Sequence, residues 1–171
     1  DTEQAFCRMP VYHWAWKVCG SSEKHYLYYC KHTFNHGRNM LVTGIPKFDA
    51  AFRLKENKAM VPGQWQTAVN GRKVILWNTW YSFDQSSVRY FGQIVEWFRK
   101  HDDCALIWRP HPMMHAVTKL YDPESYVKLR EYIAAAKSLP NVIYDEEVSY
   151  AAAFSCSIAQ ISDYSSLMFL Y

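Results

Sequence analysis

The feature that most narrows the fold is a set of short, largely unbroken apolar runs. Lys73-Val74-Ile75-Leu76-Trp77, Ala105-Leu106-Ile107-Trp108, Asn141-Val142-Ile143-Tyr144 and Ile158 to Ser162 are each about one strand long. A strand with one wet face alternates polar and apolar residues. A strand covered on both faces does not, and such strands belong to parallel sheets sandwiched by helices. The stretches between the runs have helical spacing. Residues 88–101 put Phe91, Ile94, Val95 and Phe98 on one face. Asp122-Pro123-Glu124 opens a second helix, with Asp as cap and Pro at the first helical position. Tyr126, Leu129 and Ile133 follow at helical spacing, and Pro140 closes the helix. Residues 149–156 are Ala-rich and helix-like, and a further helix begins at Ser165. The expected fold is therefore α/β, a Rossmann-like parallel sheet over residues 73–171, built as four β-α repeats.

The front third carries less signal. Residues 16–19 and 40–43 fit strands, and 23–33 fit a Tyr-rich helix. Gly44-Ile45-Pro46 ends that pattern. Pro46, Pro62 and Gly63 mark 45–72 as a connector. Three segments are expected: the tail end of a first α/β domain over 1–44, the connector over 45–72, and the main domain over 73–171.

Half of the 171 residues are hydrophobic and a fifth are charged, which suits a folded core and excludes wholesale disorder. Residues 1–60 hold nine Lys and Arg against five Asp and Glu. That excess is too small for a nucleic-acid binder but suits an anionic ligand. The five cysteines form no C-x-x-C pair, which points to reduced thiols in the cytoplasm and to no zinc site. No metal and no cofactor are expected. No run is long and apolar enough to cross a membrane, and no secretory signal opens the chain. The first residue is not Met, which fits a fragment or a processed form.

In a parallel sheet the strands end at one shared edge, where ligands of open α/β sheets bind. Four polar clusters follow the four runs: Asn78-Thr79-Trp80, Arg109-Pro110-His111-Pro112, Asp145-Glu146-Glu147 and Asp163-Tyr164-Ser165-Ser166. Arg109 offers a planar fork to phosphate oxygens. His111 sits between two prolines and titrates near neutral pH. Ser165 and Ser166 lie where free backbone N–H groups favour an anion. Each cluster also has a plain structural reading. A serine there caps a helix, "RPHP" stiffens a turn, and Asp145-Glu146-Glu147 is a solvated acidic loop. The coincidence of "RPHP" and "SDYSS" on one edge favours an anion pocket.

"VTGIPKFDA" at 42–50, "VILWNTW" at 74–80, "LIWRPHP" at 106–112 and "ISDYSSLMF" at 161–169 occur in this order. That series resembles the CDP-glycerol glycerophosphotransferases, the primases and polymerases of teichoic acid. The resemblance implies a two-domain GT-B architecture. Residues 1–44 would be the remnant of the acceptor-side domain and 73–171 the nucleotide-binding domain, truncated at its C-terminus. It assigns His111 to catalysis or phosphate contact, and Ser165 and Ser166 to the donor diphosphate. Arg109, Thr79 and Asp163 complete the expected substrate-phosphate set. Two positions depart from the family pattern: Tyr81, where an arginine is usual, and Leu170, where an acid is usual.

The implied reaction moves glycerol phosphate from CDP-glycerol, or another nucleotide-diphosphate donor, to a hydroxyl of a lipid-linked or polymeric teichoic acid acceptor, with CMP leaving. His111 would assist the leaving phosphate or relay a proton. Two other readings share the phosphate logic: a GT-B glycosyltransferase or epimerase using a UDP-sugar, and a non-catalytic nucleotide-binding module. The implied location is the cytoplasm, peripheral on the cytoplasmic face of the membrane. The basic front and the rings Trp14, Tyr26, Tyr28 and Tyr29 fit that contact, and the same rings fit core packing.

Overall fold

The computed structural model describes residues 7–56 and 59–171; residues 1–6 of the expected first segment and 57–58 of the expected connector lie outside them. The chain divides into two compact units between Ala50 and Ala51.

In the first unit, β1 (Val18–Gly20) and β2 (Met40–Val42) pair in parallel. The helices α1 (Pro10–Trp14) and α2 (Glu23–His32) flank them in the chain. Ser22 caps α2 by accepting from the His25 N–H. Of the rings expected to face either core or membrane, Tyr29 is buried with Cys7 and Met40, and Tyr26 and Tyr28 pack against that cluster. The Tyr29 hydroxyl donates to the Tyr12 carbonyl. Trp14 points outward. Gly37 is obligatory. Its φ is +75°, and a Cβ there would sit 2.4 Å from the Cys30 Sγ.

The helix α3 (Pro46–Glu56) crosses the boundary between the units. The stretch expected as a plain connector is thus largely helical among the described residues. It continues through a 3-10 turn at Gly63–Trp65 and α4 (Gln66–Val69). Trp65 and Ala68 are buried in the core of the second unit. Proline and glycine marked the ends of these elements, and the apolar residues between them were too few to show a period.

The second unit is a four-stranded parallel sheet of order β5-β4-β3-β6. Its strands are β3 (Lys73–Thr79), β4 (Cys104–Pro110), β5 (Val142–Tyr144) and β6 (Ala159–Ser162). The register sets Trp77 beside Trp108, Trp108 beside Tyr144 and Asn78 beside Ser162. Successive side chains take opposite faces. Trp77, Leu106, Trp108 and Val142 enter one core with Phe91, Val95 and Phe98 of α5 (Phe91–Lys100) and Leu129 of α7 (Pro123–Lys137). Val74, Leu76, Ala105, Ile107 and Ile143 enter the other with Ala152 and Ala153 of α8 (Ala151–Cys156). Both faces are covered, so the unbroken runs have their physical cause. Each large apolar side chain sealed this way contributes about 1.5–3 kcal/mol.

Asp122 caps α7 as the Asp-Pro-Glu signal implies, accepting from the Ser125 N–H at 3.1 Å. The hydrogen bonds from Ser125 hold its carboxyl below the usual range. Asn141 stitches α5 to the sheet: its Nδ2 donates to the Phe98 and Cys104 carbonyls, both at 2.9 Å. Past β3, α6 (Met113–Tyr121) has no counterpart in the expected pattern. Pro112 stands at its N-cap position, where a proline starts a helix rather than breaking one.

Leu106 is fully buried between strands and helices, whereas Ile158 is 68% exposed. Leu106→Ala should cost about 2–5 kcal/mol in urea unfolding, and Ile158→Ala should stay within about 0.5 kcal/mol. Equal losses at the two positions would contradict the two-sided core.

Candidate functional site

The C-terminal ends of the strands carry the site residues. Asn78 and Thr79 end β3, Arg109 and Pro110 end β4, Asp145 follows β5, and Asp163 follows β6. Arg109 and His111 line one cavity of about 310 Å³, together with His115, Tyr144, Asp145, Glu146, Glu147 and Val148 among others.

Arg109 does not reach into that cavity as a free fork. Its Nη1 donates to the Asp145 Oδ2 at 2.6 Å, and its Nη2 donates to the Val148 carbonyl at 3.2 Å. The Arg109 side chain is 11% exposed and that of Asp145 0%. Asp145 is therefore no solvated loop residue, as the sequence had suggested. The Asp145 N–H donates to the Trp108 carbonyl at 2.8 Å, extending the strand pairing by one residue and bringing the acid beside Arg109. Burial pushes the Asp145 carboxyl up, and the Arg109 guanidinium pulls against that rise. Glu146 and Glu147 do match the exposed-loop reading: Glu146 pairs with Lys137, and Glu147 accepts from Gln64. Burial, then the neighbouring Glu146, push the Tyr144 hydroxyl up to about 12, so it is a neutral phenol at physiological pH.

His111 is half-buried. Its backbone N–H donates to the Thr79 carbonyl at 2.9 Å, which ties the "RPHP" turn to the end of β3. Its ring packs on Trp80 and Tyr81, with centroids 5.4 and 5.5 Å away. Burial lowers its pKa below the ordinary histidine value. Its Nδ1 accepts the Met113 N–H at 3.2 Å. A backbone N–H can only donate, so Nδ1 is bare and the proton of the neutral ring sits on Nε2.

Two of the expected phosphate contacts are turned to other tasks. Thr79 is buried, and its Oγ1 accepts from the Trp108 indole at 3.2 Å, so its hydroxyl belongs to the core. The Asp163 carboxylate accepts from the Trp80 N–H, the Ser86 hydroxyl and the Ser87 N–H. An acid so placed serves the loop rather than an anion. Ser165 is the N-cap of α9 (Ser166–Leu170), its Oγ accepting from the Leu167 N–H at 3.2 Å. Ser166 is the first helical residue and is exposed. The serine pair lies on the same sheet edge as His111 but does not line its cavity. Trp80, read from the sequence as part of an edge cluster, and Tyr81, read only as a departure from the family pattern, form the ring wall against His111. Opposite charges at the ends of two neighbouring strands were visible in the sequence, but their pairing depends on the register of β4 and β5.

A model of the family described as CDP-glycerol:poly(glycerophosphate) glycerophosphotransferase matches residues 2–171. The chain belongs to that family. Among solved structures it is similar to a histidine variant of the wall teichoic acid polymerase TagF, at 16% identity and a TM-score of 0.50, covering 91% of this chain and 36% of that one. A second histidine variant of TagF, soaked with CDPG, matches at 17% identity and a TM-score of 0.48, covering 91% and 35%. The chain thus spans about a third of the length of those polymerase chains. The likeness agrees with the parallel α/β fold. No curated protein matches the chain.

Breaking a buried ion pair strands a charge and costs about 3–5 kcal/mol. Arg109→Ala and Asp145→Ala should each lose about that much in urea unfolding, and the double variant should lose clearly less than the sum. Additive losses would mean that the two side chains act separately.

Proposed function

We propose that this chain supplies the donor-side part of an enzyme that transfers glycerol phosphate from CDP-glycerol to a hydroxyl of a lipid-linked or polymeric teichoic acid acceptor. The observation that carries this reading is the family match over 2–171 together with the "RPHP" histidine in a cavity at the strand-end edge. The acceptor oxygen attacks the phosphorus that bears glycerol, the bond to the bridging oxygen breaks, and CMP leaves with that oxygen. Positioning and charge stabilisation supply most of the acceleration in such transfers.

The protonation of His111 supports one of its two expected roles over the other. A neutral ring with Nδ1 tied to Met113 offers an Nε2 proton and no free lone pair. It is suited to donate to a phosphate oxygen as charge develops on the leaving group, and unsuited to remove a proton from the acceptor. Ser165, Ser166 and the first turn of α9 face the diphosphate in this reading. Arg109 stands behind them, holding the 145–148 loop through Asp145 and Val148. Residues 1–44 are assigned to the acceptor side and 73–171 to the nucleotide-binding half of a GT-B enzyme.

In the full-length protein, His111→Ala should lower kcat by about 10²–10⁴-fold; unchanged turnover would remove His111 from the mechanism. Calorimetry on the chain should favour CDP-glycerol and CMP over UDP-sugars. Preference for a UDP-sugar would point to a glycosyltransferase or epimerase instead, and CMP binding with no turnover in the full-length protein to a non-catalytic module. A donor role, which the neutral and the protonated ring both fill through the Nε2 proton, predicts a rate that holds as pH falls through 6.5 and below. A rate that falls there as the ring gains its second proton would favour a base instead.

No helix among the described residues is long and apolar enough to cross a membrane. Trp14 and Trp16, 81% and 88% exposed beside the basic front, support peripheral contact with an anionic membrane face. Trp14→Ala with Trp16→Ala should release the chain from anionic vesicles in sedimentation; unchanged binding would place any such contact elsewhere.

A further inference from the structure

The Asp163 carboxylate stands at the end of β6, yet everything it holds lies on the loop that follows β3. Its Oδ2 accepts from the Trp80 N–H at 2.7 Å, the Ser86 hydroxyl at 2.6 Å and the Ser87 N–H at 3.0 Å. Its own N–H donates to the Asn78 carbonyl at 3.0 Å. Ser87 in turn accepts from the Trp77 indole at 2.9 Å, and Ser86 accepts from the Val88 N–H at 3.2 Å. Both ends of the 80–87 loop are therefore fastened to a single acid, and the loop is fixed to the core beneath it. The start of that loop is Trp80 and Tyr81, the two rings against His111. A charge-assisted acceptor that gathers three donors is among the strong hydrogen-bonding arrangements. A carboxylate filled by protein donors has no reason to meet a diphosphate, which would repel it.

We propose that Asp163 is a positioning residue: by clamping the 80–87 loop to the end of β6 it seats Trp80 and Tyr81 against His111, and so holds the imidazole and the Ser165-Ser166 turn in one frame. This rests on the reading of His111 as the group that meets the phosphate. The clamp itself is independent of any turnover. Two residues separate Asp163 from Ser165 in the chain, so the same short segment that carries the serines also fixes the wall of the histidine.

The test is the ring titration of His111, followed by NMR on the chain, in the parent and in Asp163→Asn. In the variant an amide N–H₂ faces backbone donors and the clamp opens. The charged and titratable groups that share the His111 cavity are Arg109, His115, Tyr144, Asp145, Glu146 and Glu147, with Tyr81 against the ring; none of them is altered. Loss of one negative charge would by itself move an imidazole midpoint down. Release of the ring from its half-buried seat moves it up, toward the ordinary value of about 6.5. A rise at His111, with His101 unmoved and the circular dichroism native, is the expected result. A midpoint that stays or falls overturns the proposal. Where Asp163→Asn lacks native circular dichroism, Ser86→Ala removes one donor only. It should give a smaller rise, and no rise there overturns the proposal equally. A full-length protein inactive on CDP-glycerol would remove the transfer reading and leave the His111 midpoint as the judge of Asp163.

Discussion

The sealing of both sheet faces is the constraint from which the rest follows. Trp77, Leu106 and Trp108 fill one side, and Leu76, Ala105 and Ile107 the other, so in the two central strands polar side chains are confined to the ends, as at Asn78 and Thr79. Because the strands are parallel, the chain leaves each of them at the same edge. Polar residues excluded from the interior collect there, from four separate places in the sequence. The site is thus a by-product of the packing: burial decides where chemistry is allowed, and the loops decide which chemistry it is.

The packing also explains what was legible in advance. The strands stood out because burial on two faces demands consecutive apolar residues, and α5 and α7 because burial on one face demands a period. His111, Arg109 and Asp163 were visible as an edge cluster because parallel topology alone brings strand ends together. Their partners were not. That Arg109 is held by Asp145 depends on a register of one residue between β4 and β5. That Thr79 turns inward depends on the alternation of β3, which points Thr79 to the side of Trp108. Side-chain direction at a strand end is set by parity, and a shift of one residue reverses it. The helices at 46–56 and 113–121 were hidden for another reason: each begins at or just after a proline, a residue that sequence reading treats first as a stop.

The edge combines two kinds of electrostatic economy. Arg109 and Asp145 neutralise each other under partial burial and leave the cavity without a bare guanidinium. Burial disfavours a second proton on His111. The cavity therefore presents the Nε2 side of a neutral imidazole rather than a free guanidinium. A preorganised dipole needs no rearrangement when charge develops beside it.

The two central indoles have a consequence of their own. Trp77 and Trp108 stack at 5.7 Å in the deepest part of the molecule, yet the N–H of each reaches upward, to Ser87 and to Thr79. Trp77 therefore joins the hydrophobic centre to the 80–87 loop, and Trp108 joins it to the end of β3, each by a single polar thread. Ultraviolet emission from these chromophores is ordinarily a gauge of folding alone. Here the Trp77 part of it also answers to the 80–87 loop, whose Ser87 hydroxyl accepts from that indole.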